Sequence, residues 1–234
     1  MKIVITGFVN TMTKPQRIGG YLYLPFHIFL FPLFIGMFAS YLPSGLDELT
    51  ENIIYYGLGL TFCLVWMWRF LRTGFDILLD NAMKNIMTFT LGCIIFYLLS
   101  YLAAGLMFSI LGDSFSNPNN AAVTGLAEKS PRAVLALTVL IAPIVEEILF
   151  RGIVFGALRP KHRVLAFTAS IALFGLYHVW QFAYSSNDWR MLVYIIEYIP
   201  AGYVLAWLYE RTNCIWIPIF LHMAVNMIAM GAGA

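Results

Sequence analysis

Charge is scarce in this chain. Asp, Glu, Lys and Arg make up 11% of its 234 residues, against 61% hydrophobic residues and a mean hydropathy of +0.79. Soluble domains carry about 25% charged residues, so this deficit excludes an ordinary water-facing surface. The net charge of +2 lacks the basic face that a nucleic-acid partner needs. Cysteines number three, Cys63, Cys93 and Cys214, all in or beside apolar segments. An odd count in that setting excludes a disulfide framework and reads as buried free thiols. No small-residue cleavage site follows a short apolar core at the start, so no removable signal peptide is expected. There is no internal repeat, no low-complexity run and no sign of a separate soluble domain.

Long apolar runs fill the space that charge leaves. A bilayer core of about 30 Å needs roughly 20 apolar residues per helix. Seven segments qualify: Tyr21–Leu42, Ile53–Leu71, Ile86–Leu111, Ala133–Leu158, Val164–Tyr184, Met191–Tyr209 and Ile215–Met230. The fold class expected is all-α, a polytopic membrane protein with a bundle of about seven transmembrane helices. Residues 72–84, with Arg72, Asp76, Asp80 and Lys84 among apolar neighbours, predict an amphipathic connector at the membrane interface. Residues 112–132 read as one long polar loop. Residues 1–20 read as a cytoplasmic arm, 21–132 as an N-terminal set of three spans with the connector and the polar loop, and 133–230 as a C-terminal set of four spans.

Basic residues set an orientation, because Lys and Arg gather on the cytoplasmic side. With the N-terminus inside, Lys2, Lys14, Arg17, Arg69, Arg72, Lys84, Arg159, Lys161, Arg163 and Arg211 face the cytoplasm. Lys129, Arg132 and Arg190 face outward, and the C-terminal tail ends outside. The compartment expected is the plasma membrane of a prokaryote.

Against this background the stretch PIVEEILFRG, residues 143–152, stands out. Ionisable residues deep in a membrane are costly and mark function by default. Glu147 and Arg151 are four residues apart and share a helix face. Glu146 points about 100° away. Taken alone, this fits a structural ion pair beside one neutral glutamate. Two further spans carry polar groups at similar depth: Phe174 and His178 in FGLYH, and His222 and Asn226 in HMAVN. Such a cluster implies a water-filled cavity, since lipid cannot solvate it.

The parts suit amide hydrolysis. A glutamate near a histidine can take a proton from water. A histidine and an asparagine on one face can donate hydrogen bonds to an oxyanion. GxSxG and HExxH are absent, and no cysteine stands beside a histidine. The nucleophile expected is therefore water.

The three motifs, Glu146-Glu147-Ile-Leu-Phe-Arg151, Phe174-Gly-Leu-Tyr-His178 and His222-Met-Ala-Val-Asn226, resemble EExxxR, FxxxH and HxxxN of the CAAX-protease and bacteriocin-processing (CPBP or Abi) family. These are intramembrane proteases, also called type II CAAX prenyl endopeptidases. The resemblance spans about Ala133 to Asn226 and departs at no motif position; the first three spans match no motif. It implies Glu146 as general base with His178, His222 and Asn226 as oxyanion hole, and Glu147 and Arg151 as a supporting pair. The implied substrate is a membrane-associated peptide or lipidated protein. No obligatory metal is expected. The alternative is zinc held by Glu146, His178 and His222, though zinc-protease histidines often come as a pair on one helix.

Glu197 is a further intramembrane carboxylate that either pairs within the bundle or lines the substrate path. Pro200 and Gly202 after it suggest a kink. His27 reads as a packing residue. Gly152 and Gly156 allow another helix to approach closely. Trp180, Trp189, Trp207 and Trp216 read as interfacial anchors. Two rival functions stand beside the protease: a catalytically silent scaffold or regulator, and a proton-coupled transporter using Glu146, Glu147 and Glu197. The transporter predicts inverted repeats, and none is visible.

Overall fold

A computed structural model describes residues 7–112 and 116–232. Lys2, loop positions 113–115 and the last two residues of the tail lie outside the described residues. Among the described residues every regular element is helical. The chain runs through α1 (Lys14–Tyr41), α2 (Glu48–Val65), α3 (Trp68–Asp80), α4 (Ala82–Leu111), α5 (Pro118–Lys129), α6 (Pro131–Leu158), α7 (Arg163–Ser185), α8 (Trp189–Thr212) and α9 (Trp216–Ala232). Five of these, α1, α4, α6, α7 and α8, are long and apolar enough to cross a membrane, and α2 with α3 makes a sixth, bent one. The apolar α9 is shorter than these, which makes five or six candidate spans among the described residues where the sequence suggests about seven. The fold is the expected helical membrane bundle.

The second span ends at Val65, six residues earlier than the sequence predicts. The chain turns by 72° between α2 and α3. Buried Gln16 reaches across from α1 and donates to the Trp66 carbonyl at 3.1 Å, satisfying backbone at the break. The connector therefore starts at Trp68. It turns Phe70, Leu71, Gly74 and Ile77 inward and leaves Arg69, Arg72 and Asp76 exposed. That is the one-sided pattern of an amphipathic helix.

The segment 112–132 is not simply a loop. Asn117 accepts from the backbone N–H groups of Asn119 and Asn120 and starts α5, with Pro118 at the first helical position. Asn followed by Pro is a helix-start signature, which the polar composition masked.

Within the expected arm, residues 7–13 pack against the bundle. Asn213 holds a left-handed backbone (φ 53°) at the α8–α9 turn. It accepts from Val9 N–H at 2.8 Å and donates to the Gly7 carbonyl at 2.9 Å. Phe8 then packs edge-on against Phe155 and Tyr209. A Cβ on Gly152 would lie 2.7 Å from Met12 Cε, and one on Gly156 3.1 Å from Asn10 Nδ2. Gly152 thus receives both this extended segment and, as expected, another helix, with Phe70 Cε1 of α3 3.2 Å from the same Cβ, while Gly156 receives the segment. Two tryptophans also turn inward: Trp216 donates to the Leu71 carbonyl at 2.9 Å, and Trp180 packs on Phe29. Trp189 is exposed.

Close helix contacts at glycines set the site. A Cβ on Gly175 of α7 would meet Ile195 Cγ2 at 2.8 Å, and one on Gly202 of α8 would meet the Ile171 Cα at 3.2 Å. On α2, a Cβ at Gly59 would meet Val145 Cγ1 at 2.8 Å. Cys63 and Cys214 are buried and Cys93 half-buried, all as free thiols.

Candidate active site

The site is built around the middle of α6. Two π-helical stretches, Ala136–Ile141 and Ile148–Phe155, flank the α-helical turn Ala142–Glu147 that carries both glutamates. Such stretches recur at functional sites, since they re-aim side chains and free backbone groups. The first stretch has a visible consequence. The Ala142 N–H bonds to the Leu137 carbonyl, five residues back. In that register the Thr138 carbonyl would take the N–H of residue 143, but Pro143 has none. Asn226 of α9 fills the vacancy, its Nδ2 donating to Thr138 O at 2.9 Å. One of the two Asn226 amide hydrogens is thereby fixed, and the other stays available.

Glu147 and Arg151 pair at 2.9 Å, both fully buried, as their spacing predicts. The guanidinium also donates to the carbonyls of Ala201 and Gly202 at 3.3 and 3.4 Å, and lies 4.3 Å from the Phe174 ring centroid. Phe174 is thus the cation–π floor for Arg151. Glu147 Oε1 also meets His222 Nδ1 at 2.9 Å. A carboxylate paired with arginine only accepts, so Nδ1 carries the proton and Nε2 faces away from Glu147.

Glu146 points to a separate place. Its Oε2 lies 3.5 Å from His178 Nε2 and 3.7 Å from His222 Nε2. That oxygen is buried and without a hydrogen-bond partner. His178 Nδ1 donates to the Phe174 carbonyl at 2.8 Å, which fixes its ring and turns Nε2 towards Glu146. These groups line a cavity of about 460 Å³, together with Asn226, Glu197 and Tyr198. The structure brings together Glu146, Glu147, Arg151, Phe174, His178, His222 and Asn226. Glu197 stands further along the wall, where Asn117 Nδ2 donates to its carboxylate. It both pairs within the bundle and lines the cavity. His27 is buried, stacked at 4.3 Å on Tyr55, with Nδ1 3.3 Å from the Tyr23 hydroxyl.

Residues 128–228 match the family described as type II CAAX prenyl endopeptidase Rce1-like. Over that stretch the chain is similar to the CPBP family. Its curated relatives include YdiL of Bacillus subtilis, provisionally named a membrane peptidase, 27% identical over 200 residues that cover 83% of this chain and 77% of the relative. MroQ of Staphylococcus aureus, named a membrane-embedded CAAX protease, is 26% identical over 193 residues, 78% of this chain and 74% of the relative. The UPF0177 protein YxdF of Lactococcus lactis is 29% identical over 93 residues, 40% of this chain and 46% of the relative. No solved structure matches the chain at a significant level. The family and these relatives make it a membrane protease in the broad sense.

A zinc ion here would need three donors converging on one point. Among the described residues no three His, Cys, Asp or Glu side chains are grouped to hold a metal ion. Sequence reading missed three contributors. Tyr56 of α2 donates to Glu146 Oε1 at 3.2 Å. Tyr198 stacks on His178 with centroids 4.4 Å apart, and its hydroxyl donates to Asn117 Oδ1 at 3.3 Å. The third is Asn117, whose Asn-Pro helix start was masked by the polar composition around it; a tyrosine in an apolar span carries no signal at all.

Proposed function

We propose that this protein is an intramembrane endopeptidase that hydrolyses a peptide bond in a membrane-associated or lipidated peptide or protein. One observation carries the reading: Glu146 Oε2 is buried, has no partner, and faces the cavity between the Nε2 atoms of His178 and His222. In this reading one water is held within hydrogen-bond reach of Oε2 and His178 Nε2. Glu146 takes its proton as the oxygen attacks the scissile carbonyl. The developing oxyanion accepts from the free Asn226 amide hydrogen and from His222 Nε2. Donation from Nε2 requires a proton on both ring nitrogens of His222, and Glu147 on Nδ1 supplies the counter-charge for that form. Arg151 in turn holds Glu147. Glu146 then returns the proton to the leaving amine. No step requires a metal.

The catalytic helices are those from residue 133 to 230, and Glu197 lines the substrate path. Arg159 lies over the Phe8 ring of the N-terminal segment, and α5 lines the cavity. With basic residues inside, this orients the N-terminus to the cytoplasm and the C-terminus outside, in the plasma membrane of a prokaryote.

The test is proteolysis by the purified protein in liposomes, on prenylated and unprenylated membrane peptides, with and without a chelator. Wild type is expected to cleave, Glu146→Gln to lose at least about 100-fold, the scale of general-base catalysis, and the chelator to change nothing. Loss on chelation with recovery on added zinc would replace the water-and-glutamate mechanism with a metal-based one. Cleavage that survives in Glu146→Gln would remove Glu146 from the base role.

A further inference from the structure

The two oxygens of Glu146 sit in different surroundings. Oε2 faces the cavity and has no partner, while Oε1 accepts from the Tyr56 hydroxyl at 3.2 Å. Tyr56 lies on α2, outside residues 128–228 that match the family. Its own hydroxyl accepts from Tyr177 at 3.2 Å, and Tyr177 directly precedes His178 on α7. A phenol has one hydrogen to give. With Tyr177 supplying the acceptor side, the Tyr56 hydrogen is directed to Glu146.

The backbone is arranged to make this contact. Gly59 stands three residues after Tyr56, one turn along α2, where α2 meets Val145 beside Glu146. A side chain there would push the helix away by its own width, since a Cβ would lie 2.8 Å from Val145 Cγ1 and 3.0 Å from His27 Cε1. Tyr177 is held in turn by the tilted Phe150 ring at 5.4 Å. Three helices thus converge on one carboxylate oxygen.

We infer that Tyr56 is a positioning residue for Glu146, and that Tyr177 holds Tyr56. A carboxylate without this anchor can rotate and offer either oxygen to either imidazole. The Tyr56 bond occupies Oε1 and leaves Oε2 as the one oxygen that meets water between His178 and His222. The N-terminal helices are then part of the catalytic apparatus, although the family's motifs lie outside them. This inference rests on Glu146 acting as the base.

The experiment measures kcat and KM for a peptide that wild type cleaves, in liposomes, for Tyr56→Phe, Tyr177→Phe and Glu146→Gln, with thermal unfolding of each. Tyr56→Phe removes one oxygen and leaves the ring. It is expected to lower kcat about 10- to 100-fold, below the full worth of a general base, with KM and the unfolding midpoint unchanged. Tyr177→Phe keeps the Tyr56 bond to Glu146 and is expected to lower kcat only about 2- to 5-fold, the loss of one neutral hydrogen bond. A structural role would instead move the unfolding midpoint or KM. Wild-type kcat in Tyr56→Phe, or a loss that follows the midpoint or KM, overturns the inference. An inactive Glu146→Gln beside a fully active Tyr56→Phe overturns it alone. An active Glu146→Gln removes the base reading and this inference together.

Discussion

Arg151 shows how one side chain holds the site. It is fully buried, pairs with Glu147, reaches two carbonyls of α8 and rests on Phe174. Removing one partner of a buried pair leaves the other charge without compensation, at a cost of about 3–5 kcal/mol. Arg151→Leu is therefore expected to lower stability by that amount, read as thermal or denaturant unfolding in detergent. Replacing Glu147 and Arg151 together by leucine removes both charges and is expected to recover most of that stability. Activity is expected to stay lost, because His222 has then lost the group that orients Nδ1. A double variant no more stable than the single one would show that the contacts to Ala201 and Gly202, and not the charge, carry the effect. The pairing was legible from an i, i+4 spacing. The role of Phe174 was not, because a phenylalanine in a membrane helix looks like any other apolar filler.

At the scale of elements, α6 departs from ideal helix on both sides of its glutamates, and Pro143 makes one departure useful. It leaves the Thr138 carbonyl for Asn226 to take. Pro143→Ala restores an N–H that competes for that carbonyl. One hydrogen bond is worth about 0.5–1.5 kcal/mol net, so Asn226 is expected to lose its fixed orientation and kcat to fall by up to about tenfold. Stability is expected to hold or rise, since the helix regains a bond. Unchanged kcat in Pro143→Ala would mean that Asn226 needs no anchor on α6. The sequence showed Asn226 four residues after His222, but not what Asn226 touches. Pro143 and Asn226 stand on different helices, and no local pattern links them.

For the whole molecule, α5 is the element that joins the polar segment to the site. Asn117 caps α5 with Oδ1, which also accepts from Tyr198, while its Nδ2 donates to Glu197. Tyr198 in turn stacks on His178. One buried asparagine thus links the helix that lines the cavity to the His178 ring. Asn117→Ala removes the cap, worth about 1 kcal/mol, and both tethers. Hydrogen exchange is expected to rise across 118–129 with no matching rise in α6 and α7. Exchange that stays at the wild-type level in α5 would show that the helix is held by packing alone. The polar composition of 112–132 concealed this helix, because Asn, Ser and Gly suit loops as well as helix starts.

The sequence by itself determined the membrane habit, the apolar spans, the pairing of Glu147 with Arg151 and the three motifs that carry the family resemblance. These are short-range properties: hydropathy over about 20 residues and spacings of four along a helix. Tertiary structure alone decided the bend after Val65, the seating of residues 7–13 on Gly152 and Gly156, and the choice of Tyr56 as partner for Glu146. Tyr56 and Glu146 are 90 residues apart, and Asn117 and Glu197 are 80 apart. Such contacts depend on where whole helices pack. That packing is set by the fit of surfaces such as Gly59 against Val145, and periodicity along one helix holds no record of it.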